Sequence, residues 1–154
     1  MGTGITVRVL LLSLLCGCHT APKLPPVNLQ APGWTVRQGQ AVWTAKRGEH
    51  GVAGELLLAT RADGACLVQF AKPPFTLATA RSEAGSWCLE VQSAGRAFGG
   101  RGTAPREFVW FALVDAVRCP PPARNWRWDQ AVAADGWRLT SPATGETLEG
   151  YWSP

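Results

Sequence analysis

The sequence predicts an α+β fold, an antiparallel sheet with one apolar helix. Two patterns carry this prediction. From Gly33 onward, runs of alternating apolar and polar residues recur about every ten residues, split by Gly, Asp, Pro or Ser, as in a meander of antiparallel strands. One stretch, "PREFVWFALVDAVRC", changes to a helical period and sets Val109, Ala112, Leu113, Ala116 and Val117 on one stripe.

Taken in order, "GQAVWTAK" sets Ala41, Trp43 and Ala45 against Gln40, Thr44 and Lys46, and "GVAGELLLATR" follows "RGEHG". "ACLVQFA" comes after the turn Ala62-Asp63-Gly64, and "FTLATAR" and "SWCLEVQ" are divided by "SEAG". Glycine and aspartate at such breaks supply the backbone freedom and local hydrogen bonds of tight turns. Pro105 is placed to open the helix, where a missing N–H costs nothing. Phe108, Trp110, Phe111 and Val114 carry apolar character well around it, leaving Glu107, Asp115 and Arg118 as the polar sector. Such a helix needs cover over more than one narrow face. The prolines Pro120 to Pro122 end it. "NWRWDQAVA", "DGWRLTS" and "ETLEGYWS" then return to strands, with "PATG" as the last turn.

The start of the chain is organised differently. Arg8, the apolar run from Val9 to Leu15 and the small residues after it have the layout of a secretory signal. The run is far shorter than the ~20 residues that cross a bilayer, which favours a removable signal over a membrane-spanning anchor. Residues 19–32, "HTAPKLPPVNLQAP", hold four prolines and read as an extended tether. The expected organisation is a signal at 1–17, a tether at 18–32 and one domain at 33–154, a length that suits a single core.

The junction Leu15-Cys16-Gly17-Cys18 resembles the bacterial lipoprotein signal, with Leu15 at minus three and Gly17 at minus one. That resemblance implies that Cys18 is the lipid-bearing first residue and that Cys16 leaves with the signal. Two or more acyl chains make such an attachment to the membrane stable. The competing readings are an ordinary signal with incidental cysteines, or a metal pair with only His19 nearby. In that family an aspartate after the cysteine favours the inner membrane. His19 in its place implies a cell-envelope protein anchored in the outer membrane and facing the periplasm.

Composition narrows the function. Apolar residues make up 46% and charged residues 17%, too apolar for a disordered tail. The net charge of +4 is scattered without a block of adjacent Lys or Arg, which argues against nucleic-acid binding. Cys66 alternates with Val68 and Phe70, and Cys88 with Glu90 and Gln92, so they belong to opposite faces and are expected as buried or unpaired thiols. A bond from Cys119 to either stays open. With two histidines, and no nucleophile elbow, phosphate loop, Cys-x-x-Cys or paired metal ligands, the chain is not expected to be an enzyme or to hold a metal or cofactor. The eight tryptophans either fill the core or line a cavity for acyl chains or a membrane interface.

From Gly33 to Pro154 the order of these pieces resembles the outer-membrane lipoprotein localisation receptors (LolB) and their soluble relative LolA. "GWTVRQGQAVW" is similar to that family's lead-in and first strand, and "GELLLATRADGACLVQFAKPPFTLATA" to its next strands, with Pro74-Phe75 at the family's Pro-Leu place. "APREFVWFAL" is similar to its proline-started helix, and Trp-rich strands with a "GWRL" element follow. The resemblance implies a strongly curved antiparallel sheet, an unclosed half-barrel, with the helix on its concave face. It implies a monomer that receives acylated lipoproteins from a LolA-like periplasmic carrier. Phe75 would be the delivering residue, flanked by Lys72, Pro73 and Pro74. The apolar residues Trp43, Leu56, Leu58, Val68, Phe70, Trp87, Phe108, Phe111 and Leu113 would line the acyl-chain site. Small residues such as Ala41, Ala45 and Gly54 would leave apolar space under the helix.

The two sulfurs of the junction are separable by experiment. In cells fed radiolabelled palmitate, Cys18→Ser is expected to lose the label and accumulate as precursor, whereas Cys16→Ser keeps the label.

Overall fold

A computed structural model describes residues 23–154, apart from 121, 123 and 131–135. The expected signal, Cys18 and the first part of the tether lie outside the described residues. Among the described residues, nine strands make a single curved antiparallel sheet that does not close. In chain order they are β1 (Trp34–Thr44), β2 (Val52–Arg61), β3 (Cys66–Lys72), β4 (Phe75–Glu83), β5 (Ser86–Val91), β6 (Arg96–Arg101), β7 (Arg127–Asp129), β8 (Gly136–Thr140) and β9 (Thr147–Trp152). The one α-helix, α1 (Val109–Arg118), lies between β6 and β7 in the chain. The sheet order is β6-β5-β4-β3-β2-β1-β9-β8-β7. The first six strands meander outward from β1, and the last three return to its other side through the pairing of β9 with β1.

Alternation fixes one face of each strand. Leu58, Val68, Ala80, Leu89 and Phe98 stand in register as a row across five strands, and Leu56, Phe70 and Ala78 form the neighbouring row. These residues and Val109 to Val114 of α1 belong to one core, in which Leu58, Val68, Phe70 and Leu113 are all but fully buried. A one-residue slip of any strand would turn its apolar set outward, so burial specifies the register.

Curvature comes from glycines without unusual dihedrals. A Cβ on Gly39 would meet the carbonyl of Tyr151, one on Gly150 that of Gln40, and one on Gly54 the carbonyl of Ala71 and the ring of Phe70. Neighbouring backbones and that ring therefore come closer than a side chain allows, as at a bend or barrel corner. This overturns the expectation of free space at Gly54: Phe70 already fills it.

The helix begins later than Pro105 suggests. Phe108 is extended and precedes the first turn, and its ring packs against Trp87 and Phe98. Trp126 Nε1 donates to the carbonyl of Arg106 at 2.7 Å, and Arg106 pairs with Asp115 at 2.8 Å. Residues 105–108 are thus held as a strap instead of a helical turn. At the other end, Arg118 donates to the carbonyls of Arg61 and Ala65 at 3.1 and 2.8 Å, which pins the helix to the β2–β3 turn. In that turn the Arg61 guanidinium, hydrogen-bonded to Asp63, lowers the Asp63 carboxyl to about 2.

Three other boundaries differ from the sequence pattern. β1 starts at Trp34, five residues before the alternating stretch, because the Arg61 guanidinium covers the Trp34 ring at 5.0 Å. β6 was not expected from "RAFGGR"; Gly100 fits beneath Trp87, whose ring lies against it. β7 covers only Arg127–Asp129, and the end of "NWRWDQAVA" falls on residues outside the description. The tether does not stay free to residue 32, because Arg81 donates to the carbonyls of Leu24 and Pro25 at 3.0 and 2.8 Å.

All three described cysteines are free: Cys66 and Cys88 are buried on opposite faces and Cys119 is exposed. Burial pushes the Cys66 thiol up and keeps it protonated.

Truncating the ring that fills the sheet's bend is expected to leave a void that cannot collapse. Phe70→Ala should cost about 3–5 kcal/mol in urea unfolding at unchanged slope.

Candidate functional site

The structure divides the residues expected at a site into an exposed tip and a buried layer. The tip is the turn between β3 and β4. Lys72 pairs with Phe75 across Pro73 and Pro74, whose connecting peptide is cis. All four residues are exposed, and Phe75 is 68% exposed, the most of any large apolar side chain described. A register shift between Phe70 and Ala71 leaves Leu77 as an extra residue on β4. Such a bulge offsets the tip from the alternation that buries Ala78 and Ala80.

Chain direction puts this tip at the same end of the sheet as residues 45–51, which include exposed Lys46 and Arg47. Trp34, where the lead-in enters, is at the other end.

The buried layer gathers all nine residues expected to line an apolar site. Trp43 and Trp110 lie 5.2 Å apart between ring centres, Trp110 and Phe70 5.4 Å, and Trp43 meets Phe70 edge-on at 6.5 Å. A second cluster joins Trp87 to Phe108 and, edge-on at 6.0 Å, to Phe111. Leu56, Leu58, Val68 and Leu113 complete the layer, with Trp43, Trp87 and Phe108 partly buried at its rim. Helix α1 belongs to the same core cluster as these residues. Trp110 sits at the centre of the first cluster, and its place in the apolar helix was the signal for it.

Trp43 is fixed by a distant carboxylate. Its Nε1 donates to Glu146 at 2.9 Å, from the β8–β9 turn. Burial raises the Glu146 carboxyl above its ordinary value, against the opposing effect of that hydrogen bond.

A groove of about 880 Å³ lies elsewhere, lined by Val42, Ala53, Tyr151, Pro154 and, from the tip, Lys72 and Pro73. Its walls carry the Arg138–Glu149 ion pair at 2.5 Å and the Tyr151 hydroxyl donating to Gln40 at 2.8 Å. Alternation with buried Ala41, Trp137 and Leu148 assigns Val42, Arg138, Glu149 and Tyr151 to the face opposite the core. Among the described residues, no three of His, Cys, Asp and Glu come together as a metal set, and no helix is long and apolar enough to cross a membrane. No protein-family model matches this chain, and no curated protein is significantly similar to it.

Because the Glu146 carboxyl binds its proton more tightly folded than unfolded, its contribution to stability is fullest at low pH and is lost as pH rises through the raised value. Glu146→Gln keeps an acceptor for Trp43 and removes the charge. Urea midpoints taken at about pH 4 and about pH 8 should therefore fall less with pH in the variant than in the parent.

Proposed function

We propose that this chain is a lipid-anchored outer-membrane protein, related to the localisation receptors, that binds acyl chains of lipoproteins or lipids and helps insert them into the membrane. The observation that carries the reading is Phe75, a large apolar side chain 68% exposed at a hairpin tip beside Lys72. An isolated exposed ring at a tip has little to gain in water and about 2 kcal/mol to gain in a bilayer interface. Lys46, Arg47 and Lys72 at the same end suit anionic headgroups.

In this reading α1 is an apolar plug on the concave side of the sheet. An acyl chain exchanges with it against Trp43, Phe70, Trp87 and Phe111, and both states bury similar apolar surface, so exchange costs little. The cargo comes from a LolA-like carrier, and no bond is made or broken. The chain between Cys18 and Leu24 spans at most ~20 Å, close to the ~20 Å run of β4 from Arg81 back to Phe75. The tip therefore reaches the level of an anchoring bilayer when the domain lies on its side.

The filled core supports a second reading, a non-catalytic envelope lipoprotein that uses the same scaffold to hold a partner. In that case α1 is permanent and Phe75 belongs to a contact surface.

Phe75→Glu tests the first reading. It is expected to leave the unfolding midpoint within about 0.5 kcal/mol of the parent and to reduce transfer of an acylated lipoprotein into liposomes at least tenfold, with Phe75→Leu retaining transfer. Equal transfer by Phe75→Glu and the parent would remove the delivery role.

A further inference from the structure

The outer face of the sheet carries a second buried row. One residue along from the core row, Val36, Ala59, Leu67, Arg81, Cys88 and Gly99 stand in register across six strands. Alternation turns this row away from α1, and none of its members belongs to the helix-bound core. Yet Ala59, Leu67 and Cys88 are only 0%, 5% and 3% exposed. An antiparallel sheet face open to water would leave them accessible, so this face is covered.

The cover is the lead-in to β1. Arg81, between Leu67 and Cys88 in the row, donates to the carbonyls of Pro25 and Leu24 at 2.8 and 3.0 Å. From there the chain returns to Trp34, and the sheet order sets β3 and β2 between these two points. Along this stretch Leu24, Val27, Leu29 and Ala31 are half-buried, whereas Asn28 and Gln30 are exposed. Its apolar side chains are the ones turned inward.

The attachment is unlike that of a strand. Pro25, Pro26 and Pro32 have no N–H to give to a ladder. Ala31 and Gln30 spend their N–H groups on the carbonyl and the side chain of Asn28, within the segment's own turn. Among the described residues, the two bonds from Arg81 are the only hydrogen bonds between residues 24–33 and the sheet. The corner into β1 is Gly33, whose φ of 92° lies in the region that favours glycine.

We propose that residues 24–33 form a detachable belt, latched by Arg81 and hinged at Gly33, that leaves the outer face while the sheet stays folded. A segment with so few hydrogen bonds opens at far lower cost than the ladder beneath it. Release uncovers Ala59, Leu67 and Cys88 and frees ten residues that can extend to about 35 Å. For a chain attached at Cys18, the latched belt holds the domain close to the bilayer and the released belt lets it reach outward. That consequence rests on the anchored reading proposed above; release of the belt does not.

Three thiols in three settings report the opening: Cys119 is exposed, Cys88 lies in the covered row and Cys66 faces the core. The test is the rate at which iodoacetamide labels each one in the folded full chain, followed peptide by peptide by mass spectrometry. In the parent, Cys88 should react more slowly than Cys119. Low urea should change its rate little but raise that of Cys66 steeply, since only global unfolding bares the core face. Arg81→Gln, which removes the charged latch, should speed Cys88 at least tenfold and leave Cys66 unchanged. Arg81→Lys, which keeps a charged donor, should fall between. A variant that merely destabilises the whole fold would speed Cys66 and Cys88 together, and that result overturns the proposal. So does Cys88 matching Cys119 in the parent, or an unchanged Cys88 rate in Arg81→Gln. Lipid attachment at Cys18 is read separately by the palmitate label and does not enter these comparisons.

Discussion

The structure depends on one constraint: a ten-residue helix with hardly a polar side cannot stand in water. Seven residues of α1, Val109 to Val114 and Ala116, are buried. A bilayer would accept such a surface, but the helix is too short to cross one. Leu56, Leu58, Val68 and Phe70 of the sheet share its core, and close backbone approaches at Gly39, Gly54 and Gly150 accompany the curvature of that sheet. The polar anchors follow the same constraint. Asp115 and Arg118, two of the polar sector, tie the last turn of the helix to Arg106 of the strap and to the β2–β3 turn and leave its apolar surface to the core.

The same constraint gives the proposed activity its physical sense. A helix held mainly by nondirectional burial can be replaced by another apolar body, whereas a helix held by many specific hydrogen bonds cannot. The side-chain ties to Arg106 and from Arg118 are few, and both are made from the last turn. Glu146 adds a polar restraint on Trp43 at the rim of the core. Phe75 stays outside this economy: it is apolar, exposed and removed from the core by a bulge.

Much of the fold was legible in the sequence because alternation and helical period are local signals. Strands β2 to β5, β8 and β9 and the body of α1 fell close to where "GELLLATR", "CLVQF", "SWCLEV" and "GWRLT" placed them. What could not be read depended on contacts distant in sequence. β1 was extended by Arg61 on Trp34, and β6 was stabilised under Trp87 in spite of its glycines. Helix α1 was shortened by a strap that Trp126 holds from twenty residues away. The nine residues named for an apolar site do come together, since the pattern that marks a buried face marks its members equally well. That pattern has no sign for whether the space between them is filled by helix or by ligand. The belt of residues 24–33 was less visible still, because nothing in "KLPPVNLQAP" announces that Arg81 will latch it from 56 residues away.

Native mass spectrometry of the full chain, extracted gently from membranes, tests the central claim most directly, because it weighs whatever shares the core with α1. The account predicts a noncovalent adduct with the mass of a phospholipid or acylated protein, released when the domain unfolds, alongside any lipid bound covalently at Cys18. A chain that is always free of such an adduct, and takes up none when offered acylated peptide, would contradict it and leave α1 as a permanent part of the core.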